Sequence, residues 1–344
     1  MSVDKFYRIF SKQEKNFMNQ QTKVILVIFI LLISAVACKN EEKNISPDTP
    51  DYSHLPSCDK FMNEVPDKSS ESDYGAHFKQ WLNDHQYMDI LISRGGGGAV
   101  NSGCIAAKDP VIVNGYSTLN YLRDEKGYQD CELFWILPRY NTTYDHKADM
   151  TYRSRRFIQA VREYTNKTKV DIIAGSNGVT LFRKAIQGGV AYQDPRQSEE
   201  SVCYLGESLV NQIDTFVGIA GVNRGSLLCG YWPNEATINH NSCQENGMAI
   251  NNPFYKDLNG GPNLGMKPKR VAGYIFSIYS DLDCVAGGSG STCNIIDGEN
   301  SAHIPLEDGF YVKNTDLGDM PHATISSTTY AVQCNMIQNH IISE

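Results

Sequence analysis

A chain of 344 residues with 41% hydrophobic content has room for one large α/β domain behind an N-terminal extension, and enough apolar residues to fill its core. A net charge of −8, with no basic stripe to neutralise phosphates, excludes a nucleic-acid partner. None of the ten cysteines shows C-x-x-C spacing, so no zinc or dithiol redox motif is present and no metal site is expected.

Residues 23–38, KVILVIFILLISAVAC, form an apolar run too short for a comfortable membrane span and suited to a secretory signal. Met18 makes the better start, since MNQQTK is a short, positively charged leader. The run ends at Cys38. Cleavage after Ala37 would release a secreted protein; lipidation of Cys38 would tether the chain to a membrane, facing outside the cytoplasm. Residues 1–38 are therefore expected to be a signal peptide or lipoprotein signal. Residues 39–105 are expected to be a linker and irregular segment, with a short helix over Tyr74–Leu82 and a short strand over Met88–Ile92. Arg94-Gly-Gly-Gly-Gly98 lacks a following Gly-Lys-Ser/Thr and reads as a flexible link, not a phosphate loop.

From residue 106 to 344 apolar strands alternate with amphipathic helices. Strands are expected at Pro110–Val113, Glu132–Leu137, Val170–Ala174, Asp214–Ala220 and Tyr274–Tyr279. Helices are expected at Tyr152–Thr165 and Val179–Gln187. In the first helix Phe157, Ile158, Val161 and Tyr164 make the apolar face, with Arg155, Arg156 and Arg162 opposite. This alternation implies an α/β fold with a mostly parallel sheet covered on both faces. Gly225–Lys269 interrupts the rhythm as a long aromatic-studded excursion, expected to form a wall or lid of a substrate site. Nine cysteines follow Cys38, which suits an oxidising compartment. The closest pairs predict Cys229–Cys243 and Cys284–Cys293 disulfides, and the odd count leaves a cysteine over.

Ala174-Gly-Ser-Asn-Gly178 lies between the third strand and its helix and closely matches the G-x-S-x-G nucleophile elbow. A serine on so sharp a turn takes strained dihedrals, and only small residues fit two positions away on either side. The turn lifts the Ser176 hydroxyl clear of the sheet and aims the Asn177 N–H at an incoming oxygen. A second oxyanion donor is expected from the loop after an early strand, here the N–H of Tyr116. An elbow serine also needs a base, and the base needs an orienting acid. Asp281 and Asp283 both follow directly on the Tyr274–Tyr279 strand, and both qualify by position. His303, His322 and His340 compete for the base. The loop before the last helix favours His322, because such a loop can carry an imidazole over the elbow.

From about Asp109 to His340 the chain resembles the class 2 lipases of the α/β-hydrolase fold, and is similar to the related secreted polyhydroxybutyrate depolymerases. The resemblance rests on PVIVNG115, GYQDCEL133, VDIIAGSNGVT180, DTFVGIAGVNRG225, SIYSDLD283 and the His322 loop. It implies a cofactor-free serine hydrolase acting on lipid or acyl esters, with Ser176 as nucleophile, Asp283 as acid and His322 as base. Tyr116 and Asn177 would supply the oxyanion hole. The family usually has His-Gly where this chain has Asn114-Gly115, and Ala-His-Ser-Met-Gly where this chain has Ala-Gly-Ser-Asn-Gly. These departures raise the alternative of a catalytically weakened hydrolase-fold protein that binds lipid.

Overall fold

The computed structural model describes residue 52 and residues 54–62, 72–101, 105–114, 118–137, 146–194, 198–233, 242–260 and 267–344. The apolar run, Cys38 and the tether expected after it lie outside the described residues.

Eight strands form one sheet: β1 (Asp73–Tyr74), β2 (Arg94–Gly97), β3 (Val111–Val113), β4 (Leu133–Leu137), β5 (Val170–Gly175), β6 (Ile213–Ile219), β7 (Tyr274–Tyr279) and β8 (Gly309–Val312). They pair in the order β1-β2-β4-β3-β5-β6-β7-β8. β2 runs antiparallel to β4, and every other pairing in the sheet is parallel. Five of these strands were legible as apolar runs. β8, GFYV, was not, because an edge strand with one pairing partner needs no continuous apolar stretch.

The helices are α1 (Ala76–Asp84), α2 (Leu119–Lys126), α3 (Ala148–Thr165), α4 (Asn177–Gln187), α5 (Pro253–Asn259), α6 (Pro321–Thr324) and α7 (Tyr330–Asn339). Side chains of α1, α3 and α4 pack with Ile112, Phe134, Ile172 and Phe216 on one face of the sheet. Side chains of α2 and α7 pack with Val111, Trp135, Ile173 and Val217 on the other. Alternate residues of β5 thus enter different cores, as the pleat of a doubly covered strand requires. The molecule has the expected α/β-hydrolase architecture. α3 corrects one expectation: Arg155 does not face solvent but is buried, donating to the carbonyl of Ala185 in α4 at 3.1 Å.

The segment before residue 106 also differs from expectation. It contributes β1, α1 and β2 to the same sheet and core, and Met88–Ile92 is a 3-10 turn, not a strand. Most of the glycine run, Gly95–Gly97, lies in β2. Aromatic side chains explain its composition: methyl groups added at Gly95, Gly96 and Gly98 would collide with Tyr74, Trp135 and Phe78. At Gly97 φ is 102°, and a methyl would meet the Leu133 carbonyl oxygen. Three of the four consecutive glycines thus form a strand closely overlaid by aromatic rings and the neighbouring backbone, where composition alone suggests a link.

Both expected disulfides are present, Cys229–Cys243 and Cys284–Cys293. A third, Cys58–Cys203, joins a 3-10 turn (Cys58–Phe61) to the hairpin formed by Val190–Tyr192 and Val202–Tyr204, bridging 145 residues of sequence. Cys131 is also disulfide-bonded. Cys334 is free and fully buried on α7, where burial pushes its thiol up.

Candidate active site

Ser176 stands between the last residue of β5 and the first of α4, at φ 52° and ψ −131°. A side-chain-bearing residue holds such a conformation only when its surroundings enforce it, at a cost of about 1–3 kcal/mol. The Ser176 N–H donates to the Ile219 carbonyl on the neighbouring strand at 2.8 Å, which pins the turn to the sheet. Asn114 braces the other side. Its backbone N–H donates to Ile173 O at 2.9 Å and its Nδ2 to Ile136 O at 3.1 Å. Its Oδ1 fills the space that a Cβ at Gly178 would need, so any larger residue there would have to displace the Asn114 amide. Gly175 is less constrained: among the described residues an added Cβ would meet nothing nearer than Ile219 O at 3.9 Å.

His322 lies on α6, which begins with Pro321 at its first turn. Its Nε2 is 3.0 Å from Ser176 Oγ and its Nδ1 is 2.8 Å from Asp283 Oδ2. An ionised carboxylate only accepts, so Nδ1 donates to Asp283. The neutral ring then presents Nε2 as an acceptor for the Ser176 hydroxyl. The Asp283 side chain is 2% exposed, and its second oxygen accepts the Val285 N–H at 3.0 Å, which fixes the carboxylate plane. Three side chains from three separate segments therefore form one hydrogen-bonded series.

The rival residues are engaged elsewhere. Asp281 is exposed, and its Oδ2 accepts from Asn314 Nδ2 at 2.9 Å. His303 lies between Glu307 (Nδ1 to Oε1, 2.5 Å) and the Tyr279 hydroxyl (3.1 Å). His340 terminates α7 in the left-handed conformation, stacks on Tyr274 and meets Asp214 Oδ2 at 2.9 Å. Tyr116 lies outside the described residues. The Asn177 N–H, at the first position of α4, has no acceptor among the described residues and is free to donate outward. The N-terminus of α4 adds its partial positive charge at this point.

One constellation had no legible signal in the sequence. His146, two residues before α3, is 2% exposed and lies behind the elbow. Its Nδ1 donates to the Asn246 carbonyl at 2.7 Å, and its Nε2 is 2.7 Å from Thr180 Oγ1. Thr180 Oγ1 is in turn 2.9 Å from Asn177 O and 3.3 Å from Asn177 Oδ1. The ring stacks on Phe254 with centroids 3.8 Å apart. Burial pushes the His146 imidazole down to about 4, against the opposing hydrogen bond to the Asn246 carbonyl. A lone histidine outside any periodic pattern offers nothing by which to identify this role.

The excursion after Gly225 has two described parts. The first braces the acid-bearing loop, with Leu227 N–H donating to Ala286 O at 2.7 Å and the Tyr231 hydroxyl to Asp297 at 2.7 Å. The second forms α5, capped by the Asn252 side chain and joined to α4 by Lys184–Asp257 at 2.5 Å and Arg183–Asn259 at 2.9 Å. Its aromatic residues Phe254 and Tyr255 are buried against His146. Residues 234–241 and 261–266 lie outside the described residues. Leu228, Leu282, Val285 and Met320 are exposed apolar residues on the loops that carry or brace Asp283 and His322. Among the described residues no group of His, Cys, Asp and Glu side chains is arranged to hold a metal ion.

Several solved structures are similar to this chain at low identity. Lipase B of Aspergillus fumigatus is 15% identical over 62% of this chain and 46% of its own, with a TM-score of 0.36. Bacillus licheniformis lipase BlEst2 in its propeptide form is 16% identical over 72% and 53%, with a TM-score of 0.41. Esterase Est2 of Thermogutta terrifontis is 12% identical over 71% and 86%, with a TM-score of 0.37. The match thus spans about half the length of the two lipases. No curated protein sequence matches the chain. The lipase (class 2) family matches residues 111–335, a stretch that runs from β3 into α7 and contains Ser176, Asp283 and His322. With well over half of its length matched in this way, the chain belongs to the class 2 lipase family.

Proposed function

We propose that this protein is a serine esterase or lipase that hydrolyses carboxylic esters through an acyl-enzyme on Ser176. The observation that carries the reading is the Asp283–His322–Ser176 series, with links of 2.8 and 3.0 Å. His322 takes the Ser176 proton as Oγ attacks the ester carbonyl, and Asp283 steadies the imidazolium that results. The oxygen of the tetrahedral intermediate accepts from the Asn177 N–H and, by resemblance, from the Tyr116 N–H. Collapse expels the alcohol, protonated by His322. Water, deprotonated by the same ring, then releases the acid and restores Ser176. No cofactor takes part in these steps.

The apolar residues beside Asp283 and His322 favour a lipid or acyl ester over a polar one. The disulfides are compatible with an extracellular location. With the apolar leader they support a secreted protein, or one tethered through lipidated Cys38 and facing outside the cytoplasm.

A fluorophosphonate tests the chemistry without knowledge of the substrate, because it reacts only with an activated serine. Stoichiometric labelling of Ser176 is expected, together with turnover of p-nitrophenyl butyrate. Both should be lost in Ser176→Ala, with the thermal unfolding transition unchanged. A folded wild-type protein that neither labels nor turns over would overturn the reading and favour the lipid-binding alternative.

A further inference from the structure

Asn177 poses a problem that the acyl-enzyme reading alone does not solve. Its N–H is the expected oxyanion donor, and the direction of that N–H is set by the strained dihedrals of Ser176. Where the family usually places an apolar residue, this chain buries an amide at 5% exposure. A buried amide destabilises the turn unless its polar atoms find partners. The His146–Thr180 pair holds the helix turn that carries it. Both the backbone N–H and the Nδ1 of His146 converge on one acceptor, the Asn246 carbonyl, at 2.8 and 2.7 Å. Because Nδ1 faces a carbonyl it must donate, and the neutral ring therefore offers Nε2 as an acceptor to Thr180. The single Thr180 proton goes to that nitrogen, so Oγ1 lies 2.9 and 3.3 Å from the carbonyl and amide oxygens of Asn177 without donating to either. Asn246 is itself anchored, its Nδ2 donating to Tyr192 O at 3.0 Å.

We propose that His146 is a positioning residue: by bonding Asn246 to Thr180 it fixes the first turn of α4 and keeps the Asn177 N–H aimed at the reacting oxygen. This rests on the acyl-enzyme reading. It also gives the excursion after Gly225 a role in catalysis, since its Asn246 carbonyl is the fixed end of the relay. Ser176 is held from the sheet side by Ile219 and from the helix side by this relay, which is the over-determination that a strained turn requires.

The test uses the full chain and p-nitrophenyl butyrate. Thr180→Val keeps the shape and removes the hydroxyl; Thr180→Ser restores the hydroxyl. His146→Phe keeps the stack on Phe254 and removes both polar contacts. An oxyanion donor acts on the transition state, so Thr180→Val and His146→Phe should each lower kcat at least 10-fold while KM stays within about twofold. Thr180→Ser should return kcat to within about threefold of wild type, and the double variant should be no worse than the poorer single one. A role confined to stability would lower the unfolding temperature and leave kcat of the folded fraction unchanged, which would overturn the proposal. A loss expressed in KM, or one that Thr180→Ser does not restore, would also overturn it. Should His146→Phe fail to fold, the Val/Ser pair at 180 decides. Wild-type protein without Ser176-dependent turnover would instead overturn the acyl-enzyme reading, and this proposal with it.

Discussion

Asp281 and Asp283 leave the same strand two residues apart, yet they face different surroundings. Asp281 is exposed and paired with the Asn314 amide, whereas Asp283 is closed off from solvent and points its Oδ2 at His322. Their substitution should separate the two sharply. An amide at 283 no longer enforces the His322 tautomer that leaves Nε2 free to accept, so Asp283→Asn should lower kcat by about 10⁴-fold. Asp281→Asn should leave kcat within about twofold. Steady-state turnover of p-nitrophenyl butyrate by both variants makes the comparison, and equal losses would contradict the assignment of the acid. The histidines divide in the same way: His303 and His340 have filled their polar contacts elsewhere, and only His322 stands over Ser176.

At the scale of elements, two short glycine-bearing stretches behave in opposite ways. β2 consists of Arg94 and three glycines because Tyr74 and Trp135 lie over it and the β4 backbone comes close. Gly97 combines a left-handed φ with a backbone carbonyl in the way, so Gly97→Ala should destabilise the fold by about 3 kcal/mol or more. The elbow's Gly175 has ordinary dihedrals and, among the described residues, room for a methyl, so Gly175→Ala should stabilise by about 0.5–1 kcal/mol, through the entropy of the unfolded chain. Urea denaturation of the two variants tests both signs. The departure at Gly175 thus leaves the turn geometry intact, while the turn that carries Asn177 is held through Thr180 by His146. A polar residue at 177 is legible in the sequence. The residues that hold its turn come from 31 residues upstream and from the excursion, and no local pattern announces them.

For the whole molecule, the pH dependence of stability follows from His146. Burial holds its folded pKa at about 4, below the ordinary value of 6.5, so the unfolded chain binds the proton more readily. The stabilisation is therefore complete above pH 6.5 and is lost as the pH falls towards 4, by about 3 kcal/mol over that interval. Asp171, raised well above the ordinary carboxylate range by burial, contributes in the opposite direction. Lys184 and Asp257 line a cavity of about 200 Å³ adjoining His146, and Tyr255 packs edge-on against its ring. Comparing wild type with His146→Phe isolates the histidine: the acid slope of unfolding free energy between pH 7 and 4.5 should be shallower in the variant. An identical slope in both would show that His146 is not buried neutral.

The sequence by itself determined the features whose cause is local. Alternating apolar runs specified five strands and two helices, and the small residues around Ser176 specified the elbow. Cysteine spacing identified the two short-range disulfides, and the order Ser, Asp, His followed the chain. Position alone left two aspartates and three histidines open and resemblance pointed to Asp283 and His322; the tertiary structure supplies their contacts with the serine, since Ser176 and His322 are 146 residues apart and their approach depends on how the segments after β7 and around α6 pack. Packing likewise turned a glycine run into a strand and a solitary histidine into the support of the elbow. Periodicity records the contacts a residue makes along its own element, whereas the site is assembled from contacts between elements.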